Sequence, residues 1–142
     1  MGDLAALEFD LTPHASGQIK WKYVMGSTEW GVFQANTTYS DAFFMGIKEK
    51  TSGGTPTNVA MVPGTNTPVA ITTISPTVNS QYMTMNKKNT SLAPTNVPYN
   101  VGYSGFTTVL ETVPYAIEAG KTYRISLKLA DGSDKLLDSA VW

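Results

Sequence analysis

The chain has 142 residues, of which 42% are hydrophobic and only 15% charged, with a net charge of -1, one histidine and no cysteine. That length suits one domain built on one core, and with no basic run longer than Lys87-Lys88 it carries no electrostatic footprint for nucleic acid. No apolar stretch approaches the roughly 20 residues that cross a bilayer, and the first ten residues lack the blocks of a signal peptide. A soluble chain without membrane insertion is expected, its targeting segment removed if it is exported.

Taken in chain order, Ala5, Leu7, Phe9 and Leu11 alternate with Ala6, Glu8, Asp10 and Thr12, which is the period of a strand. Pro13 ends that run by removing a backbone donor. The spacing next predicts a strand over residues 19–24, with Ile19, Trp21 and Tyr23 on one face and Lys20 and Lys22 on the other. Further strands are expected over 29–34, 42–48, 59–62, 69–74, 81–85, 106–112 and 122–129. Turn residues separate them. Gly53, Gly54 and Pro56 make 51–56 a loop, Pro63-Gly64-Thr65-Asn66 reads as a tight turn, and Ala130-Asp131-Gly132-Ser133 predicts a hairpin joining the last two strands. Residues 86–105, rich in Asn, Pro, Ser and Gly, read as a surface loop or an irregular edge. No window of a dozen residues holds apolar positions at helical spacing, so the fold class is all-β, and about nine short strands point to a sandwich.

Catalysis needs groups this chain scarcely has. His14 follows Pro13 in a predicted turn with no nucleophile and base beside it. Without a cysteine or a second histidine there is no zinc set, and Asp131, Asp134 and Asp138, the nearest approach to a calcium loop, read as the polar face of a hairpin because Leu136 and Leu137 lie between them. No local signature recommends a carboxylate pair such as Glu29 and Glu111 for glycoside hydrolysis. The expectation is a protein that is not an enzyme, with no cofactor and no metal. Trp21, Phe43, Phe106 and Tyr123 lie in strong strands and are assigned to packing, while Trp30, Tyr99 and Tyr103 stay open between packing and contact. Tyr99, Asn100 and Tyr103 are the candidate ligand-binding residues, because a loop carrying aromatic rings and an amide suits sugar stacking. Asn36-Thr37-Thr38 and Asn89-Thr90-Ser91 are sequons that permit glycosylation only in a suitable host.

Gly2-Asp3-Leu4, Glu8-Phe9-Asp10-Leu11, Gly17, Ile19, the Lys20-Trp21-Lys22-Tyr23 strand and Gly26, with Glu118-Ala119-Gly120-Lys121-Thr122-Tyr123 near the end, resemble bacterial chaperone-usher fimbrial subunits, most closely the kappa class of enterotoxigenic bacteria. The resemblance implies an immunoglobulin-like β-sandwich lacking one strand, spanning 1–142, with residues 3–12 as an N-terminal donor-strand arm. Ala5, Leu7, Phe9 and Leu11 would then enter the groove of a neighbouring fimbrial subunit, after a periplasmic chaperone has held that groove and while an outer-membrane usher exports the polymer. It further implies an extracellular place on a bacterial surface fimbria and a role in adhesion to host cells, with host glycan binding left open. The chain departs from the family where it ends Ser139-Ala140-Val141-Trp142, with the aromatic residue last, and where Leu136-Leu137 breaks the final alternation. An ordinary first strand of a complete sandwich has the same arm pattern. The alternatives are a phage virion or tail surface protein and a carbohydrate-binding β-sandwich module.

Overall fold

A computed structural model of the chain describes residues 3–30, 40–86, 101–132 and 138–142. Its strands are β1 (Leu4–Leu11), β2 (Gly17–Ile19), β3 (Lys22–Tyr23), β4 (Met25–Ser27), β5 (Ala42–Glu49), β6 (Thr57–Asn58), β7 (Met83–Met85), β8 (Gly105–Thr107), β9 (Leu110–Glu111), β10 (Tyr115–Ile117), β11 (Tyr123–Ala130) and β12 (Ser139–Val141). The one helical element among the described residues is the 3-10 turn Ser80–Tyr82. Two four-stranded antiparallel sheets, in the orders β1-β11-β5-β6 and β12-β4-β8-β7, give an all-β, sandwich-like arrangement, and the pairs β10-β2 and β3-β9 add two small sheets.

Three strands of eight residues build the first sheet, and their registers run one for one, with Leu7 opposite Leu127 and Leu127 opposite Met45. Residues opposite one another share a face. Odd positions therefore form the inner face, where Phe43, Met45, Ile47, Tyr123 and Ile125 are buried, and even positions such as Glu8, Asp10, Arg124 and Lys48 form the polar face. The core closes with Met25, Trp30, Val59, Val62, Val69, Ile71, Ile74 and Leu110. Trp30 is fully buried because its indole N–H finds two acceptors, donating to the Ile74 carbonyl at 2.8 Å and the Ile71 carbonyl at 3.2 Å.

Several sequence expectations change in the folded chain. The strand expected over 19–24 is broken into β2 and β3. Both run along the 110–117 segment, but between the pairs Ile19–Tyr115 and Lys22–Glu111 lie two residues on one side and three, 112–114, on the other. The extra residue and Pro114, which has no N–H, interrupt the ladder as a bulge does. Thr112 bridges the gap, its amide donating to the Trp21 carbonyl and its hydroxyl accepting from the Trp21 amide, both at 2.9 Å. The hairpin expected over 130–133 runs into residues outside the described ones; of the strands it was to join, β11 lies in the first sheet and β12 pairs with β4 in the second. Residues 59–62 and 69–74 join the ladders only through the bridges Met61–Pro68 and Ala42–Ala70, yet Val59, Val62, Val69, Ile71 and Ile74 are buried. Their apolar character serves the core from irregular backbone. Glu29 and Trp30 lie in a bend, not a strand, and 31–34 fall outside the described residues. The tight turn at 63–66 is present, with Gly64 at φ +76° and the Thr65 amide bonded to the Val62 carbonyl at 3.0 Å.

Candidate functional site

Ala5, Leu7, Phe9 and Leu11 all lie on the inner face of β1, as their alternation predicts, and among the described residues β1 is bonded along one edge only, to β11. Along each row of the inner face, cover is lost toward this edge. Ile47 and Ile125 are fully buried while Phe9, next in their row, is 41% exposed; Met45 is buried while Leu7 is 62% exposed. Among the described residues, the opposing layer ends short of this edge. β12, the edge of the second sheet, faces the β1 side across an apolar groove of about 370 Å³ lined by Ala5, Leu7, Phe43, Leu127, Leu129 and Val141, and no described strand lies over Leu7 and Phe9.

The polar face of β1 is locked to its own chain. Arg124 Nε donates to Asp10 Oδ1 at 2.8 Å, Lys50 Nζ meets Asp10 Oδ2 at 2.7 Å, and the Ser126 hydroxyl donates to Glu8 Oε1 at 2.6 Å. The Arg124 guanidinium, and after it the Lys50 ammonium, hold the Asp10 carboxyl well below the usual carboxylate range. Glu8 and Asp10 thus fix β1 on β11 with charge-assisted bonds while its apolar side chains stay in solvent.

A second apolar surface lies on the outer face of the other sheet. Tyr103 and Trp142 meet edge to face with centroids 5.4 Å apart, and Phe106 packs 6.0 Å from both rings. Gly26 makes room beneath them: a Cβ there would stand 2.9 Å from the Phe106 ring and 3.0 Å from that of Trp142. Phe106 therefore lies half-buried on this outer face and not in the core, whereas Phe43 and Tyr123 are core and Trp21 is half-buried against it. The adjoining groove, about 480 Å³ and lined by Val24, Thr84, Val101, Val109 and Trp142 among others, is almost wholly apolar. A sugar would find few partners there for its hydroxyls, so the groove suits an apolar group better. Of the three expected ligand residues, Tyr103 belongs to this cluster, and Tyr99 and Asn100 lie outside the described residues.

A third group was not legible in the sequence. Glu29, Asp41 and Asp131 each bring one carboxylate oxygen within 4.8 Å of the others, and Glu29 and Asp41 are 1% exposed. Asp41 accepts from the Gly132 amide at 3.2 Å and from the Ser139 hydroxyl, joining the ends of β11 and β12 to the start of β5. Such oxygen donors are the kind a hard divalent cation takes, and a proton or a cationic side chain balances the same charges. The three lie far apart in the chain, and only Asp131 belonged to the acidic run weighed above. The one local signal was an acid directly before an apolar run, as in Asp41 ahead of Ala42-Phe43-Phe44.

Compared with known proteins, the chain matches the family described as Choice-of-anchor L domain over residues 1–142. It belongs to that family. Comparison with curated proteins and with solved structures finds no match. In this Choice-of-anchor L domain the matched span takes in all three features: the open β1 edge, the ring cluster and the buried carboxylates.

Proposed function

We propose that this domain is a non-catalytic binding and assembly module of a bacterial cell surface, joined to its partners by strand addition at β1. The observation that carries the reading is the open inner face of β1, an eight-residue strand paired on one side among the described residues, with Leu7 and Phe9 in solvent. Exposed apolar side chains beside a free row of backbone donors and acceptors are what strand addition consumes. The fimbrial resemblance supplies a finer form, in which the fold is an immunoglobulin-like sandwich short of one strand and β1 of one subunit takes up the β11 register of the next. The matched family is not described as fimbrial, so that form rests on the residues of β1 and on the groove between β1 and β12.

The test compares the full chain with a variant lacking residues 1–11, by light scattering and on unheated gels. Species larger than the monomer are expected from the full chain and none from the shortened one, which should keep its fold because, of β1, only Leu11 packs against the core. A full chain that stays monomeric, and that unfolds when β1 is removed, would make β1 an ordinary first strand.

A further inference from the structure

Among the described residues four strands edge the two larger sheets, and three of them are guarded by being short: β6 has two residues, β7 and β12 three each. β1 has eight. It contains no proline, lysine or glycine, its register with β11 runs without a bulge, and its inner face carries no charge. Of the devices by which proteins deter edge pairing, this strand keeps only two charges, Glu8 and Asp10, and both lie on its polar face.

We infer that β1 pairs with β1 of a second copy, antiparallel about a two-fold axis at Leu7, so that the two first sheets continue as one. The inference rests on the reading of β1 as an assembly strand and names its partner. A two-fold axis perpendicular to the sheet keeps both inner faces on one side, so odd residues must oppose odd residues and even oppose even. Centred on Leu7, this sets Phe9 against Ala5 of the partner subunit, a large side chain against a small one. It sets Glu8 against Ala6 of the partner subunit and Asp10 against Leu4 of the partner subunit, so no carboxylate meets another. Centred on Glu8, the same strands would place two glutamates opposite one another, which is destabilising. Centred on Ala6, Phe9, Asp10 and Leu11 would all overhang the partner's strand. Glu8 and Asp10 are already bonded to Ser126, Arg124 and Lys50 of their own chain, so a second copy adds no unbalanced charge at the joint. Leu7 is then covered by Leu7 of the partner subunit, and of the strand only Leu11, opposite Asp3 of the partner subunit, extends past the pairing.

The chain has no cysteine, so a single introduced thiol reports only on contact between copies. In Leu7→Cys the two Cα atoms would stand about 4.5–5.5 Å apart across the axis, within disulfide range. In Leu4→Cys they would stand about 20 Å apart, six residues out of register. Under mild oxidation, Leu7→Cys is expected to shift to a covalent dimer on non-reducing gels and Leu4→Cys to stay monomeric. Leu7 is exposed, so neither fold nor core is disturbed. The double variant Leu7→Cys/Leu127→Cys separates the modes: bonds within one chain are expected, and a ladder of bonds between chains would mean that β1 leaves for a neighbour's β11, overturning the two-fold pairing while keeping assembly through β1. Unmodified chains that form multimers by light scattering, with Leu7→Cys no more cross-linked than Leu4→Cys, would overturn the pairing alone. Chains that remain monomeric at every concentration would overturn the pairing and the assembly reading together.

Discussion

At one edge of the first sheet, β6 is two residues long, is entered from Pro56 and packs beside a central strand whose inner side chains are buried. At the other edge, β1 is four times as long and has seven of its eight residues exposed. Both are edges of the same sheet, yet the β6 side borders the core and the β1 side has outrun it. Strand length and regularity are therefore no measure of how much a strand contributes to stability here. What separates the two is whether the second sheet lies opposite. Stability should concentrate along β5 and β11, and self-recognition along β1.

The widest test of that contrast is Ile47→Ala in β5, which removes a fully buried side chain and should cost roughly 2–5 kcal/mol in denaturant unfolding. A cost near zero would show that the core does not rest on this strand. Next comes Asp41→Ala at the junction of β5, β11 and β12. It removes the bonds that Asp41 accepts from the Gly132 amide and the Ser139 hydroxyl, and the loss of charge-assisted bonds should amount to about 2–3 kcal/mol, with amide exchange rising first at β12. Equal protection of β12 in the variant would disconnect Asp41 from the sheet junction.

Smaller again is the effect of acid on β1. Since Arg124 and Lys50 lower the Asp10 carboxyl in the folded chain, its contribution is complete above the unfolded value of about 3.9 and is lost as pH falls from there toward the folded value. Asp10→Asn should flatten the acid limb of a thermal-midpoint profile, and an unchanged limb would mean that other carboxylates set it. The smallest effect is expected from Leu7→Ala, under about 0.5 kcal/mol for an exposed site, although it alters the centre of the proposed pairing. If Leu7→Ala destabilises the monomer as much as Ile47→Ala, the two edges are not different in kind.

Much of the fold was legible where side chains obey a short local period. β1, β5 and β11 lie within a residue or two of their expected bounds because alternation over eight residues admits one backbone form. Legibility failed where burial and strand pairing part company. Val69, Ile71 and Ile74 look like a strand because apolar residues close in sequence suit one, yet they reach the core from turns. Phe106 looked like core and covers Gly26 on the outside, since a glycine on the neighbouring strand cannot be weighed from Phe106 alone. For the candidate site, the four apolar residues of β1 were found by their spacing, whereas the carboxylate group was hidden by the chain distance between Glu29, Asp41 and Asp131.

By itself the sequence determined the class of the fold, the strand at the N-terminus and which of its faces is apolar, because these depend on neighbours two residues away. It also set the charge pattern from which the proposed pairing takes Leu7 as its centre. Only the tertiary structure decided that this apolar face lies beyond the reach of the second sheet, since exposure depends on where distant strands end. The same is true of the buried acids, whose approach to one another is a matter of chain crossing and not of local preference.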